Sequence, residues 1–325
     1  MEAFVRSLWP DIADNMAKPL APDVVRAVCL GDGGITFAPM PVDRGKADHA
    51  ATVQGTPGPS LKEVVEGIIE KERRLCLTVL RETRPALAAR TVVTEMNTRT
   101  EAFVEELRRS GADKTACREG CSWCCRGLDV EVTPAEAIAI AEYLTDNLDS
   151  GGLTVVRDRI TKDAIDIRSR STEQRRVSRV ACPLLDEAKG RCVAYEARPG
   201  VCRSYNSMDA DACERAFDAN DDHAPIPHNG VMRAGPVAAL MGFAQACKAH
   251  GVDPRGDLRL SLALDVAFVP QSAERWARGE WVFDAAALSP AERLASADVP
   301  RATTPEDEHR RERNARKRER KKGRR

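Results

Sequence analysis

"TACREGCSWCCRG", residues 115–127, places four cysteines in thirteen residues with the spacing C-x3-C-x2-C-C, and its surroundings decide the fold. A succession of strands after these cysteines would make them the loop of a barrel. A succession of helices would make them part of a metal module in an α-helical chain. The downstream sequence answers for helices. In "VEVTPAEAIAIAEYL", Thr133 suits an N-cap, Pro134 the first helical position, and Glu136 the third place of a capping box. A polar, basic helix over 153–178 follows, and "HNGVMRAGPVAALMGFAQACKAHGVD", "DLRLSLALDVAFV" and "SAERWARGEW" read as three more.

Upstream the pattern is the same. Ser60 and Glu63 have capping-box spacing, and Leu61, Val64, Val65, Ile68, Ile69, Leu75, Cys76, Val79 and Leu80 follow at helical intervals. Val92, Val93, Met96, Phe103, Val104 and Leu107 repeat the stripe, so a helical hairpin is expected to lead into the cysteines. Residues 31–60, rich in Gly and Pro and without a period, read as a linker or arm, preceded by one or two short helices over 1–30. The expected fold class is mainly α: an irregular helical domain around a cysteine-rich metal module with a short β-hairpin. The expected division is an arm and linker over 1–59, a helical hairpin over 60–112, the metal module over 113–218, C-terminal helices packing on it over 219–300, and a tail over 301–325.

The chain of 325 residues has 50 basic and 50 acidic side chains, but between Arg310 and Arg325 eleven Lys/Arg face only Glu312 and Glu319. This highly charged tail reads as disordered or loosely helical, and it offers weak, salt-sensitive polyanion or nucleic-acid binding through phosphate contacts. It has no aromatic residue for stacking on bases. No run of eighteen apolar residues predicts a membrane span, and "MEAFVRSLWPDIADNMAKPL" lacks the form of a secretory signal, so a cytoplasmic protein is expected.

Eleven cysteines in a reducing compartment point to metal rather than to disulfides. Eight fall within 97 residues: Cys117, Cys121, Cys124, Cys125, Cys182, Cys192, Cys202 and Cys213. Cys29, Cys76 and Cys247 stand apart and read as small buried hydrophobes. Thiolates suit zinc and iron–sulfur clusters alike, and spacing does not decide between them. Adjacent residues point in different directions, so Cys124 and Cys125 fit two sites, or one ligand and one packing residue, better than a single ion. "CPLLDEAKGRC", with a turn at Lys189-Gly190, reads as a hairpin that brings Cys182 near Cys192. Arg118, Arg126, Arg191, Arg198 and Arg203 are placed to neutralise a four-thiolate centre of charge about −2. Of the histidines His49, His223, His228, His250 and His309, only His223 and His228 lie close enough in sequence to suggest ligation. Asp209 reads as a helix cap, and Trp123 as a shield for the site or a packing residue. Ser204, Tyr205 and Asn206 read as polar neighbours without a paired base.

The run C-x3-C-x2-C-C-R followed by "CPLLD…GRC…Y…RPGVCRSYNS" resembles the YkgJ-type cysteine-cluster family, also called CxxxCxxCC proteins. The resemblance spans roughly residues 115–215 and takes in all eight clustered cysteines with Pro183, Tyr195, Arg198, Pro199 and Arg203. It implies a domain that chelates zinc or iron through those eight cysteines, and leaves the biochemical role open. The first three cysteines, with Trp123 before the third, are also similar to the loop by which radical-SAM enzymes hold a [4Fe–4S] cluster. The later strands and the Gly-Gly-Glu stretch of that class are missing. The flagellin lysine N-methylase is similar in its adjacent cysteines and its later "CPxL…C" block, and implies an iron–sulfur, SAM-dependent enzyme acting on protein lysines. Here the first block is spaced differently, and "GDGG" at 31–34 is too short for a SAM-binding loop. Two readings therefore stand: a metal-chelating module of structural, redox or metal-handling role, and an iron–sulfur enzyme modifying a protein or peptide. No residue singles out a substrate or partner.

Overall fold

The computed structural model describes residues 60–109, 115–118, 120–221 and 224–287. The expectations for the N-terminal arm, Cys29, His49, His223, His309 and the basic tail lie outside these residues.

The described chain is mainly α-helical. Helix α1 (Leu61–Glu82) starts at the Ser60–Glu63 capping box, in which Ser60 N–H donates to Glu63 Oε2 at 2.7 Å. It buries Leu61, Val64, Val65, Ile69, Cys76 and Leu80 along one face. Pro85 opens α2 (Pro85–Arg109), which completes the hairpin with α1. After the first cysteines come strand β1 (Glu131–Val132), α3 (Pro134–Asn147), α4 (Ser150–Ser169) and α5 (Thr172–Val177). The second cysteine block holds β2 (Leu185–Asp186), β3 (Arg191–Cys192), α6 (Gly200–Ser204) and α7 (Ala210–Asp218). The long α8 (Gly230–His250), β4 (Leu258–Arg259), α9 (Leu260–Ala267) and α10 (Ser272–Ala277) close the fold.

Two antiparallel pairs staple these helices. In β2–β3, Leu185 faces Cys192 and Asp186 faces Arg191. In β1–β4, Glu131 faces Arg259 and Val132 faces Leu258, which joins the start of α3 to the start of α9. The second pair was not anticipated, and two-residue strands carry too short a pattern to show in sequence. The helix expected over 153–178 is two helices. Asp149 caps α4 by accepting from Gly152 N–H, and a new start follows at Ser171, whose hydroxyl accepts from Gln174 N–H while Gln174 Oε1 accepts from Ser171 N–H. The Ser-x-x-Gln spacing of a capping box was there to be read.

The core gathers Trp276, Phe243, Phe283, Met96, Ile138, Leu144, Ile160 and Leu264, all fully buried. Cys76 and Cys247 belong to this apolar cluster, in keeping with their expected packing role. Burial and the neighbouring Glu72 carboxylate push the Cys76 thiol up to about 12. Glu72 is held in turn by Arg99 at 2.7 Å.

Helix α8 lies against α1, with Leu61, Val65, Ile69, Ala234, Val237 and Ala238 between them. The closest approach is at Gly242, where a β-carbon would sit 2.4 Å from the Ile69 carbonyl oxygen and 2.8 Å from Glu72 Cβ. Gly242→Ala is therefore expected to pry the helices apart and destabilise the fold by about 1–3 kcal/mol. An unchanged urea midpoint would show that the two helices do not pack this tightly.

Candidate metal centre

The first block is short and irregular, and tertiary contacts hold it. Ala116 N–H donates to the Ser207 carbonyl at 2.7 Å, and Ser207 N–H returns a bond to Cys117 Sγ at 3.3 Å. Trp123–Arg126 form a single 3₁₀ turn. The Trp123 ring sits 5.3 Å from Phe217 of α7, and the Arg179 guanidinium covers Phe217 at 4.6 Å. Trp123 thus fixes the cysteine turn against the helix that carries Cys213. That helix is capped, as expected, by Asp209, which accepts from Asp211 and Ala212 N–H.

On the other side of the turn, the Cys125 carbonyl accepts from Cys182 N–H at 2.7 Å, joining the two blocks through the backbone. The hairpin after Cys182 turns where Asp186 accepts from the amides of Ala188 and Lys189. Gly190 has φ 61°, and a β-carbon there would lie 2.8 Å from the Gly120 carbonyl oxygen, so the hairpin tip rests on the first cysteine loop. Glycine is required at such a contact for both its conformation and its size.

Cys202 sits on α6, whose first turn is fixed by Glu136. This carboxylate, 1 % exposed, completes its own capping box with Thr133, and its other oxygen accepts from Gly200 N–H at 2.7 Å. Burial raises its pKa, opposed by the bonds from Thr133 and Gly200. The sequence marked Glu136 as a cap, but the bond to a residue 64 positions away left no local trace. Glu136→Ala is expected to loosen α6 and destabilise the protein by about 1–3 kcal/mol for each buried donor left unpaired. A melting temperature equal to that of the parent would contradict this.

All ten described cysteines are free thiols. The eight clustered ones keep some surface exposed, Cys117 and Cys124 most of all. Burial pushes the thiols of Cys117, Cys182, Cys192, Cys202 and Cys213 upward, and the bond from Cys125, followed by burial, does the same to Cys124. Neighbouring sulfurs add to each shift. Cys117 and Cys213 feel Cys121 and Cys124, Cys182 feels Cys192 and Cys202, and Cys202 feels Cys124 and Cys192. Thiols of the first and second blocks therefore lie within electrostatic reach of one another. Among the described residues, however, no three Cys, His, Asp or Glu side chains are drawn together closely enough to grip an ion as they stand.

The arginines divide by role. Arg198 lowers the thiols of Cys124, Cys192 and Cys202, and its Nε is buried without a hydrogen-bond acceptor. Arg203 is held by Glu101 at 2.9 Å and by the Glu196 and Arg198 carbonyls, so it braces the loop that carries Arg198. Arg126 pairs with Glu187 at the hairpin turn, Arg191 lies over Tyr195, and Arg118 is exposed. His228 has Nδ1 against the Ile226 carbonyl. Ser204 donates to the Val201 carbonyl, and Asn206 accepts from Asn229 N–H, so both tie the backbone together.

The chemistry of this donor set suits a thiophilic cation, which would have to draw the sulfurs closer than they stand. Eight uncrosslinked sulfurs share one region, and the buried Arg198 Nε lacks the acceptor that a metal-bound thiolate would provide. A dication reverses the upward shifts by stabilising the deprotonated sulfur.

Residues 116–224 match a family model described as "CxxCxxCC: Putative zinc- or iron-chelating domain". The match fits the cysteine-cluster family that the sequence resembles, and covers the segment holding all eight clustered cysteines. No curated protein and no solved structure matches the chain. Among the described residues no helix is long and apolar enough to cross a membrane.

Proposed function

We propose that the protein chelates zinc or iron through Cys117, Cys121, Cys124, Cys125, Cys182, Cys192, Cys202 and Cys213, and that the metal braces the two cysteine blocks against the helical scaffold. The observation that carries this reading is the presence of eight free thiols in the segment that the family model covers, with the buried, acceptor-less Arg198 Nε near Cys124, Cys192 and Cys202. Elsewhere the blocks meet through a few backbone bonds, the Gly190–Gly120 contact, the Trp123–Phe217 rings and the Arg126–Glu187 pair. Bound zinc would supply a closed, redox-inert anchor, and an iron–sulfur centre would add electron transfer.

Metal analysis with acid-labile sulfide, on protein isolated without oxygen or chelators, tests the reading. Zinc gives a colourless sample without sulfide, whereas an iron–sulfur centre gives a brown one with sulfide matching its iron. Folded protein without zinc or iron would overturn the proposal.

A further inference from the structure

We propose that Asn206 is a positioning residue of the metal centre: its carboxamide clasps the segment Ser204–Asp209 to the start of α8, and that segment holds Cys117 beside the helices that carry Cys202 and Cys213. This rests on the chelation reading and names a residue that prepares its ligands without being one. The segment meets three cysteine-bearing elements in turn. Ser204 ends α6, which carries Cys202. Ser207, 3 % exposed, donates its N–H to Cys117 Sγ at 3.3 Å, and its carbonyl accepts from Ala116 N–H at 2.7 Å. Asp209, whose N–H donates to the Ser207 hydroxyl at 3.0 Å, caps α7, which carries Cys213.

Asn206 fastens this segment to the scaffold. Its Oδ1 accepts from Asn229 N–H at 2.7 Å, and its Nδ2 donates to the carbonyls of Ser204 at 3.1 Å and Asn229 at 3.3 Å. Both donors of the carboxamide are engaged, and turning it over would set N–H against N–H and oxygen against oxygen. Asn229 is itself fixed, because its side chain caps α8 by accepting from Val231 and Met232 N–H. Met208 N–H adds a bond to the Pro227 carbonyl at 2.8 Å. Helix α8 in turn packs on α1. An unbroken line of contacts therefore runs from the helical scaffold through Asn206 to the Cys117 sulfur.

A ligand held in place before the ion arrives spares the entropy of ordering it on binding. The side chain that does this must accept one bond and donate two. A carboxylate at position 206 would keep only the acceptor, and an aliphatic side chain would keep neither.

Two readouts test the assignment: zinc affinity by competition with a chromogenic chelator, and the sulfur-to-cobalt charge-transfer band of the Co2+-loaded protein. Asn206→Leu should weaken zinc by about 10–100-fold, the range for residues that orient a ligand from outside the metal's own shell. It should also lower the charge-transfer intensity per ion as Cys117 drops away. Asn206→Asp should fall between Asn206→Leu and the parent, and it carries the comparison alone if the leucine variant fails to fold. Gly242→Ala, which destabilises the α1–α8 contact, should leave both readouts at parental values and so separates positioning from stability at large. In the protein as isolated, the amides of Ala116 and Ser207 should lose protection from hydrogen exchange in the Asn206 variants. Parental affinity and spectrum in those variants, retained protection of both amides, or an equal loss of affinity in Gly242→Ala would overturn the assignment. A parent that takes up no zinc, cobalt or iron would instead defeat the chelation reading, and the exchange of the two amides would still judge the clasp.

Discussion

Stripping the metal with a chelator under reducing conditions is expected to unravel the cysteine module while the α1–α8 packing survives. A structural zinc site in small domains contributes about 10–16 kcal/mol of apparent binding free energy. That is comparable with the whole stability of a typical domain, about 5–15 kcal/mol. Helices α1 and α8 are joined by the aliphatic side chains of Leu61, Val65, Ile69, Ala234, Val237 and Ala238, none of which is among the clustered cysteines. Hydrogen exchange separates the two regions: amides of 115–130 and 180–217 should lose protection on chelation, and those of α1 and α8 should keep theirs. Unchanged protection across the module would mean that the ion adds nothing to its stability.

The second large effect is expected at Arg175. This guanidinium, 6 % exposed, bonds Asp166 on α4 at 2.6 Å, Asp163 on the same helix at 2.8 Å, and Asp129 before β1 at 3.0 Å. It thus ties α5 to α4 and to the strand that meets β4. Arg175→Met keeps much of the side-chain volume but removes the cation that the three carboxylates share, leaving Asp129 with Arg259, Asp166 with Arg170 and Asp163 with the Ser261 hydroxyl. Loss of one partner from such a buried group costs about 3–5 kcal/mol. Cys182 and Arg175 line the same shallow pocket, so the variant should also hold its metal less firmly. A denaturation midpoint close to that of the parent would show that the carboxylates find other partners. Replacing all three aspartates with asparagine alongside Arg175→Met should recover part of the loss.

Local rules made much of this legible. The capping boxes at Ser60 and Thr133, the apolar stripes of α1 and α2, the Asp209 cap and the hairpin between Cys182 and Cys192 each depend on residues a few positions apart. The cysteine spacing announced a metal module for the same reason, since thiols are scarce and their clustering is conspicuous. What escaped reading depends on distance along the chain. The Glu136–Gly200 bond, the Arg175–Asp129 bond and the β1–β4 pair join residues 46 to 128 positions apart, and nothing in their immediate neighbours announces the partner. The break before α5 is different, because its Ser171–Gln174 signature is local but sits inside a polar run that masks it.

The two core cysteines have a practical use. Cys76 and Cys247 are wholly enclosed, and Cys76 would shed its proton only in strong alkali, so neither reacts readily with alkylating reagents in the native state. Cys117 and Cys124, by contrast, are the most exposed residues of the cluster. Among the described residues, then, a colorimetric titration of accessible sulfhydryls in the intact protein samples the more exposed clustered cysteines, Cys117 and Cys124 first, against a background in which Cys76 and Cys247 are silent. Its fall as ions are added gives a direct optical gauge of occupancy, with no label introduced.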